Sequence, residues 1–392
     1  MSARLRVGLD ARPLQRGFRE EANRGVGVYA RELVAALATR DDLALTLWFD
    51  PHHPIPTATL PAGLTIARYA FSSPWLRDRV SSHVTSPWAA LTGAHDVFHW
   101  LAHVHTPLRP TGRSVVTVHD LILERFASFY HPNGVSPAFR LARGLEGMAI
   151  RGARVLIADS HATAADVRRL HGVPDARLRV AHLGLHPRFA PVPVAARTEV
   201  RAAFGLTTPY VLYLGGIDPH KDVPLLLEAF ARVRAARREP LTLALAGPIV
   251  GSPFQPALMA RAEALGLGDS LRVLPFVPLE QLPALMAGAA VFGFPSRIEG
   301  FGFPPLEAMA CGTPVVSTTG GSLAEVLGEA ALTVEPGDVV GFAAALRRVL
   351  DEPALRESLR MAGLARAATF TWARTAEATV AAYRLAAAGA RT

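Results

Sequence analysis

Short apolar runs rich in branched side chains alternate along the chain with segments whose apolar residues recur every three or four positions. That alternation of period-2 and period-3.6 stretches predicts strands and helices taking turns in parallel α/β sheets. In the first half the strand-like runs are 5–9, 43–49, 64–69, 97–100, 114–118, 155–158 and 178–181; in the second they are 210–214, 241–246, 271–274, 289–294, 314–317 and 331–334. The rhythm breaks at 187–197, where Pro187, Pro191 and Pro193 fit neither a helix interior nor a central strand, and this segment reads as an interdomain linker. With 392 residues the chain exceeds the roughly 250 that one core supports, so two domains are expected, 1–187 and 188–370. A helical pattern carrying Trp372 and Tyr383 closes the chain over 371–392.

Composition narrows the class. Half the residues are apolar, but no uninterrupted apolar run reaches the roughly 18 to 20 residues of a membrane-spanning helix. The first residues lead straight into a strand with arginines interleaved, unlike a signal peptide, and the expected location is cytoplasmic. Cys311 is the single cysteine and cannot form an intramolecular disulfide or a cysteine metal site; it reads as a small buried apolar residue. The net charge of +8 is partly concentrated between 139 and 180, where eight arginines face four acids. That excess suits either a solvated helix face or an anionic partner. Nucleic acid is not expected, because no aromatic residues interleave with the basic ones in a stacking pattern. The headgroup surface of an anionic membrane carrying a lipid-linked acceptor is the favoured macromolecular contact, with the protein peripheral on the inner face of the cell membrane.

The most informative run is Phe294-Pro-Ser-Arg-Ile-Glu-Gly-Phe-Gly-Phe-Pro-Pro-Leu-Glu-Ala-Met-Ala-Cys-Gly-Thr-Pro-Val-Val316. A buried strand ends near Phe294, a loop follows, and Pro304-Pro305 mark the first turn of a helix that carries Glu307. Gly300 and Gly302 let backbone approach a ligand closely, and amides at the helix start suit phosphate. The two glutamates, Glu299 and Glu307, stand eight positions apart, and the run resembles the glutamate-x7-glutamate motif of the family-4 retaining glycosyltransferases. That resemblance implies an α/β fold of GT-B type, two Rossmann-like doubly wound domains facing a deep cleft, with a C-terminal helix crossing back to the N-terminal domain. It implies an N-terminal acceptor-side domain, a C-terminal domain that binds a nucleotide diphosphate sugar, Glu299 on hydroxyls of the donor sugar and Glu307 on the nucleotide ribose. Gly300, Phe301, Gly302 and Phe303 fall in the donor-binding loop.

A second element, Tyr210-Val-Leu-Tyr-Leu-Gly-Gly-Ile-Asp-Pro-His-Lys-Asp-Val-Pro224, is a strand, a glycine turn and a helix start. It resembles the family's strand, glycine and Pro-Arg-Lys-Asn segment, and Lys221 matches the lysine that neutralises the donor diphosphate in place of a metal ion. His220 stands where the family has arginine, Asp222 where it has asparagine or glycine, and Gly216 where some members carry another arginine. Arg297 is a candidate for the missing cation. In the run that begins at Arg24, Gly25 and Gly27 open an amphipathic helix and resemble the family's loop over the donor phosphates. The run Ser114 to Val118 ends in His119-Asp120, and carboxyl ends of parallel strands line ligand crevices. His119 matches the family histidine that faces the donor sugar; Asp120 and Ser160 read as caps. His95, His99, His103 and His105 lack the spacing of a helical metal pair, and no metal or cofactor is expected.

No serine–histidine–aspartate set is present, and the resemblance implies transfer with retention at the anomeric carbon, driven by positioning and charge stabilisation. The runs Thr117-Val-His-Asp-Leu-Ile and Leu214-Gly-Gly-Ile-Asp-Pro-His-Lys look most like bacterial mannosyltransferases of surface polysaccharide assembly. GDP-mannose is therefore the first donor expected and UDP-glucose the second, with a glycan, lipid-linked or small-molecule acceptor. The alternatives are a nucleotide-sugar-binding protein without turnover and a nucleotide-sugar epimerase on the same layout.

Overall fold

The structure, a computed structural model, describes residues 4–16, 25–69, 95–107, 110, 112–130 and 134–388. Arg24 lies outside the described residues. The chain divides into two compact units, one of Met1–Gly184 with Thr371–Thr392 and one of Leu185–Phe370. The second unit begins at Leu185 rather than at 188, and the Leu185 N–H donates to the Phe370 carbonyl at 3.1 Å, tying its first residue to its last. Part of the segment read as an irregular linker is helical, because Val194–Ala203 forms a helix directly after Pro193. Beyond the last proline nothing opposes it, and alanine and arginine favour it.

Among the described residues, seven parallel strands form the sheet of the first unit. They are β1 (Leu5–Asp10), β2 (Leu43–Phe49), β3 (Thr65–Arg68), β4 (Val97–Trp100), β5 (Ser114–Val118), β6 (Val155–Ala158) and β7 (Leu178–Val180), in the order β3-β2-β1-β4-β5-β6-β7. The second unit holds β8 (Tyr210–Leu214), β9 (Thr242–Ala246), β10 (Leu271–Val273), β11 (Val291–Phe294), β12 (Val315–Thr318) and β13 (Leu332–Val334), in the order β10-β9-β8-β11-β12-β13. Strands β4, β5, β6, β11 and β12 are buried at every position, which is why they read as mostly apolar runs, with the occasional buried polar residue such as His99 or Thr117. The order reverses between β1 and β4 in one sheet and between β8 and β11 in the other. At such switch points the loops leaving neighbouring strands diverge to opposite faces and open a crevice at the carboxyl ends.

The last helix, Trp372–Ala388, belongs to the first unit and packs on the helix Gly25–Ala38 and on β4 to β7. A polar chain runs through this contact. The Tyr383 hydroxyl lies 2.8 Å from His99 Nδ1, His99 Nε2 lies 2.8 Å from Thr117 Oγ1, and the Tyr29 hydroxyl lies 2.9 Å from the same Oγ1. Burial pushes His99 down to about 3, so the ring is neutral and each nitrogen answers a hydroxyl. Tyr383→Phe leaves His99 Nδ1 buried without a partner, and the expected cost is about 1–3 kcal/mol of stability in urea unfolding. A loss below a few tenths would show that the ring finds another partner.

Candidate active site

The switch point of the second sheet gathers the residues that carry charge. From β8 the chain passes Gly215 and Gly216 into a short turn, Pro219–Lys221, before the helix Val223–Ala235. From β11 it passes Pro295 to Gly302 before the helix Phe303–Ala310. Because β8 and β11 are hydrogen-bonded neighbours, the two loops leave the sheet side by side. Lys221 and Glu299 meet there: Nζ donates to Oε1 at 2.8 Å and to Oε2 at 2.9 Å, and Nζ lies 5.7 Å from the centre of the Phe294 ring. Both groups are mostly buried, Glu299 to 9% exposure, which strengthens the attraction relative to a surface pair.

A second ion pair crosses the same gap with the charges reversed. Arg297 Nε lies 2.7 Å from Asp222 Oδ2, and the Arg297 N–H donates to the His220 carbonyl at 2.8 Å. Burial raises the Asp222 carboxyl and the Arg297 charge pulls it back. His220, expected among the donor contacts, has its side chain buried, so the turn presents mainly its carbonyl. Arg297, considered as the replacement cation, faces Asp222.

The loop of Glu299 rests on a third segment that sequence reasoning missed, Thr319-Gly-Gly-Ser322 after β12. The Glu299 carbonyl accepts from the Ser322 N–H and hydroxyl, each at 3.1 Å, and the Phe301 carbonyl accepts from the same hydroxyl at 2.8 Å. Gly321 has φ +65°, and a Cβ there would run into the Glu299 carbonyl. Two glycines between a strand and a helix were the available signal.

Gly302 caps the next helix with φ +96°, a conformation that suits glycine, and a Cβ would come within 2.8 Å of Leu323. Phe301 is buried against Phe303 and Phe370, at 5.2 and 5.8 Å between ring centres, so its contribution to a ligand would come through backbone near Gly300. Pro304 and Pro305 occupy the first turn, where missing N–H groups cost nothing. Glu307, on this helix, keeps part of its surface open, yet burial pushes its carboxyl up to about 8, with the Arg188 charge opposing. The same helix places Cys311 next along, where burial and the Glu307 charge push the buried thiol up to about 12.

In the first unit His119 follows β5. Nδ1 lies 2.6 Å from Asp159 Oδ2 and Nε2 lies 2.9 Å from the Leu101 carbonyl oxygen. Burial opposes the ring's charge, but the carboxylate and the hydrogen bonds outweigh it, and the pKa of His119 is raised. Both nitrogens face acceptors, Asp159 and the Leu101 carbonyl, so the ring is held in place and has no free hydrogen-bonding edge. Tyr29 packs edge-on against it at 4.7 Å. Gly25 opens the helix that carries Tyr29 and Gly27 is buried in its first turn. Asp120 Oδ1 accepts from the Ile122 N–H, and Ser160 Oγ from the Thr163 N–H, as caps do. His95 accepts from Trp48 Nε1 at 3.0 Å.

Residues 197–366 match the family model for glycosyl transferases group 1, and residues 23–189 that for glycosyltransferase family 4. A D-inositol 3-phosphate glycosyltransferase of Mycolicibacterium smegmatis is 32% identical over 276 residues, 69% of this chain and 61% of that protein. The O-antigen chain mannosyltransferase B of Escherichia coli is 31% identical over 275 residues, 70% of each chain. Among solved structures, Anabaena HepE in complex with UDP-glucose is similar in fold, with a TM-score of 0.71 at 18% identity over 96% of this chain and 98% of that one. Two family models that together cover most of the chain, and a relative matched over 70% of both lengths, lead to one conclusion: the chain belongs to the family-4 glycosyltransferases and has two Rossmann-like domains of the GT-B type.

Proposed function

We propose that the protein is a retaining hexosyltransferase that moves a sugar, mannose first, from a nucleotide diphosphate donor to a glycan, lipid-linked or small-molecule acceptor. The observation that carries this reading is the Lys221–Glu299 pair at the switch point of the second sheet, a cation for the diphosphate and a carboxylate for sugar hydroxyls held within 2.9 Å. In this reading Lys221 takes up the charge on the departing diphosphate, so that no metal ion is required, and the leaving phosphate accepts the acceptor's proton. Glu307 holds the ribose, the backbone of 300–303 faces the donor, Gly25 and Gly27 approach its phosphates, and His119 faces the donor sugar. The relatives that act on inositol phosphate and on O-antigen chains support a sugar acceptor of surface or small-molecule type. GDP-mannose is the first donor to test and UDP-glucose the second, given the UDP-glucose complex of a neighbour in fold. No helix among the described residues is long and apolar enough to cross a membrane, and the basic segment 139–180 supports peripheral contact with anionic headgroups.

The test is thermal denaturation with GDP, UDP and ADP, with and without chelator. A ligand at about a hundred times its Kd stabilises by roughly 2.7 kcal/mol, so one nucleotide should raise Tm selectively and chelator should leave the rise unchanged. No rise with any nucleotide overturns the reading. A protein that binds nucleotide sugar without turnover is the second reading, motivated by His220, Gly216 and Asp222 around the turn that bears Lys221. Donor consumption that depends on an acceptor separates the two.

A further inference from the structure

Two ion pairs of opposite polarity join the same two loops: Lys221 with Glu299, and Asp222 with Arg297. Each loop contributes one cation and one anion, so the four charges cancel. The second pair has no evident part in the chemistry, yet it is costly to build. Asp222 has φ +47°, and among the described residues it is the one non-glycine with positive φ. That region is worth about 1 kcal/mol or more of strain to a residue with a Cβ, and the side chain is also only 11% exposed, which penalises its charge. A strained, buried carboxylate beside Lys221 also repels any anion that Lys221 would bind.

We infer that Asp222 is a positioning residue for the proposed transfer: through Arg297 it fixes the loop that carries Glu299, at the expense of diphosphate affinity. Arg297 is two residues from Glu299, and its N–H is already tied to the His220 carbonyl, so its guanidinium and its backbone together lock that loop to the turn bearing Lys221. Removing the Asp222 charge should therefore have two effects of opposite sign. Diphosphate should bind more tightly, because a repelling carboxylate is gone and no longer offsets the charge of Arg297. Turnover should fall, because Glu299 is held less firmly against the sugar.

The inference rests on the function proposed above, and the experiment separates the two. Binding of GDP, UDP and ADP is measured by calorimetry, and kcat with the donor that the wild type consumes, for the wild type, Asp222→Asn, Arg297→Met and the double variant. Asparagine keeps the shape of aspartate and tolerates positive φ, so Asp222→Asn should fold. It should bind nucleoside diphosphate about 3-fold or more tightly while kcat falls about 10-fold. Arg297→Met should lose both affinity and kcat, and the double variant should recover near wild-type affinity with kcat no lower than in either single variant. A parallel fall of affinity and kcat in Asp222→Asn, an unchanged kcat, or a double variant whose kcat falls by the product of the two single losses would overturn the inference. If the wild type binds none of GDP, UDP and ADP, the proposed function fails instead.

Discussion

Glu299→Gln is expected to lower kcat by about 10²- to 10³-fold while the Kd for nucleoside diphosphate changes by less than about 3-fold. Glutamine matches the shape of glutamate, and the backbone of residue 299 is held independently, its carbonyl by Ser322. The loop should therefore keep its path. What is lost is a carboxylate placed to accept from sugar hydroxyls and to oppose positive charge at the anomeric centre, an interaction that matters most in the transition state. What is gained is a Lys221 ammonium no longer shared with both carboxylate oxygens, so affinity for the diphosphate is maintained or slightly raised. Single-turnover kinetics and calorimetry on the same preparation read the two quantities. If affinity and rate fall together, Glu299 holds the nucleotide site as a whole and the assigned role is wrong.

How much of this could be read beforehand depended on whether the cause was local. The buried strands 97–100 and 114–118 are legible because a parallel strand covered on both faces is mostly apolar and branched or aromatic. The start of the helix that carries Glu307 is legible because two prolines fit only its first turn. The Lys221–Glu299 pair joins residues far apart in the chain, and only the neighbouring of β8 and β11 brings them together. No periodicity encodes that. Arg297 looked available as a cation because its partner, Asp222, sits on the other loop. The environment of His119 was hidden for the same reason: the acceptor for Nε2 is a carbonyl, Leu101, and carbonyls leave no mark on residue type. The helix at Val194–Ala203 was obscured by prolines that end just before it.

Glu307 gives the second large effect, and its sign follows from the direction of its shift. An ordinary glutamate loses its proton near 4.5, and burial holds this one until about 8. Between those values the folded chain keeps a proton that the unfolded chain has released, so stability falls as pH rises from about 4.5 to about 8 and stays low above it. A shift of that size corresponds to a few kcal/mol, partly offset by local relaxation. The Cys311 thiol, pushed up to about 12, does not titrate in this window. Glu307→Gln mimics the protonated acid at every pH. It should match the wild type in urea unfolding at pH 5 and exceed it by a few kcal/mol at pH 9, and a difference that is flat with pH would sink the assignment. Binding adds an independent check. Ribose hydroxyls donate most strongly to a carboxylate, so a bound nucleotide should favour the ionised form and release protons near pH 7. Calorimetry in buffers of different ionisation enthalpy should detect that release in the wild type and lose it in Glu307→Gln. Proton release that persists in the variant would move the ribose contact away from Glu307.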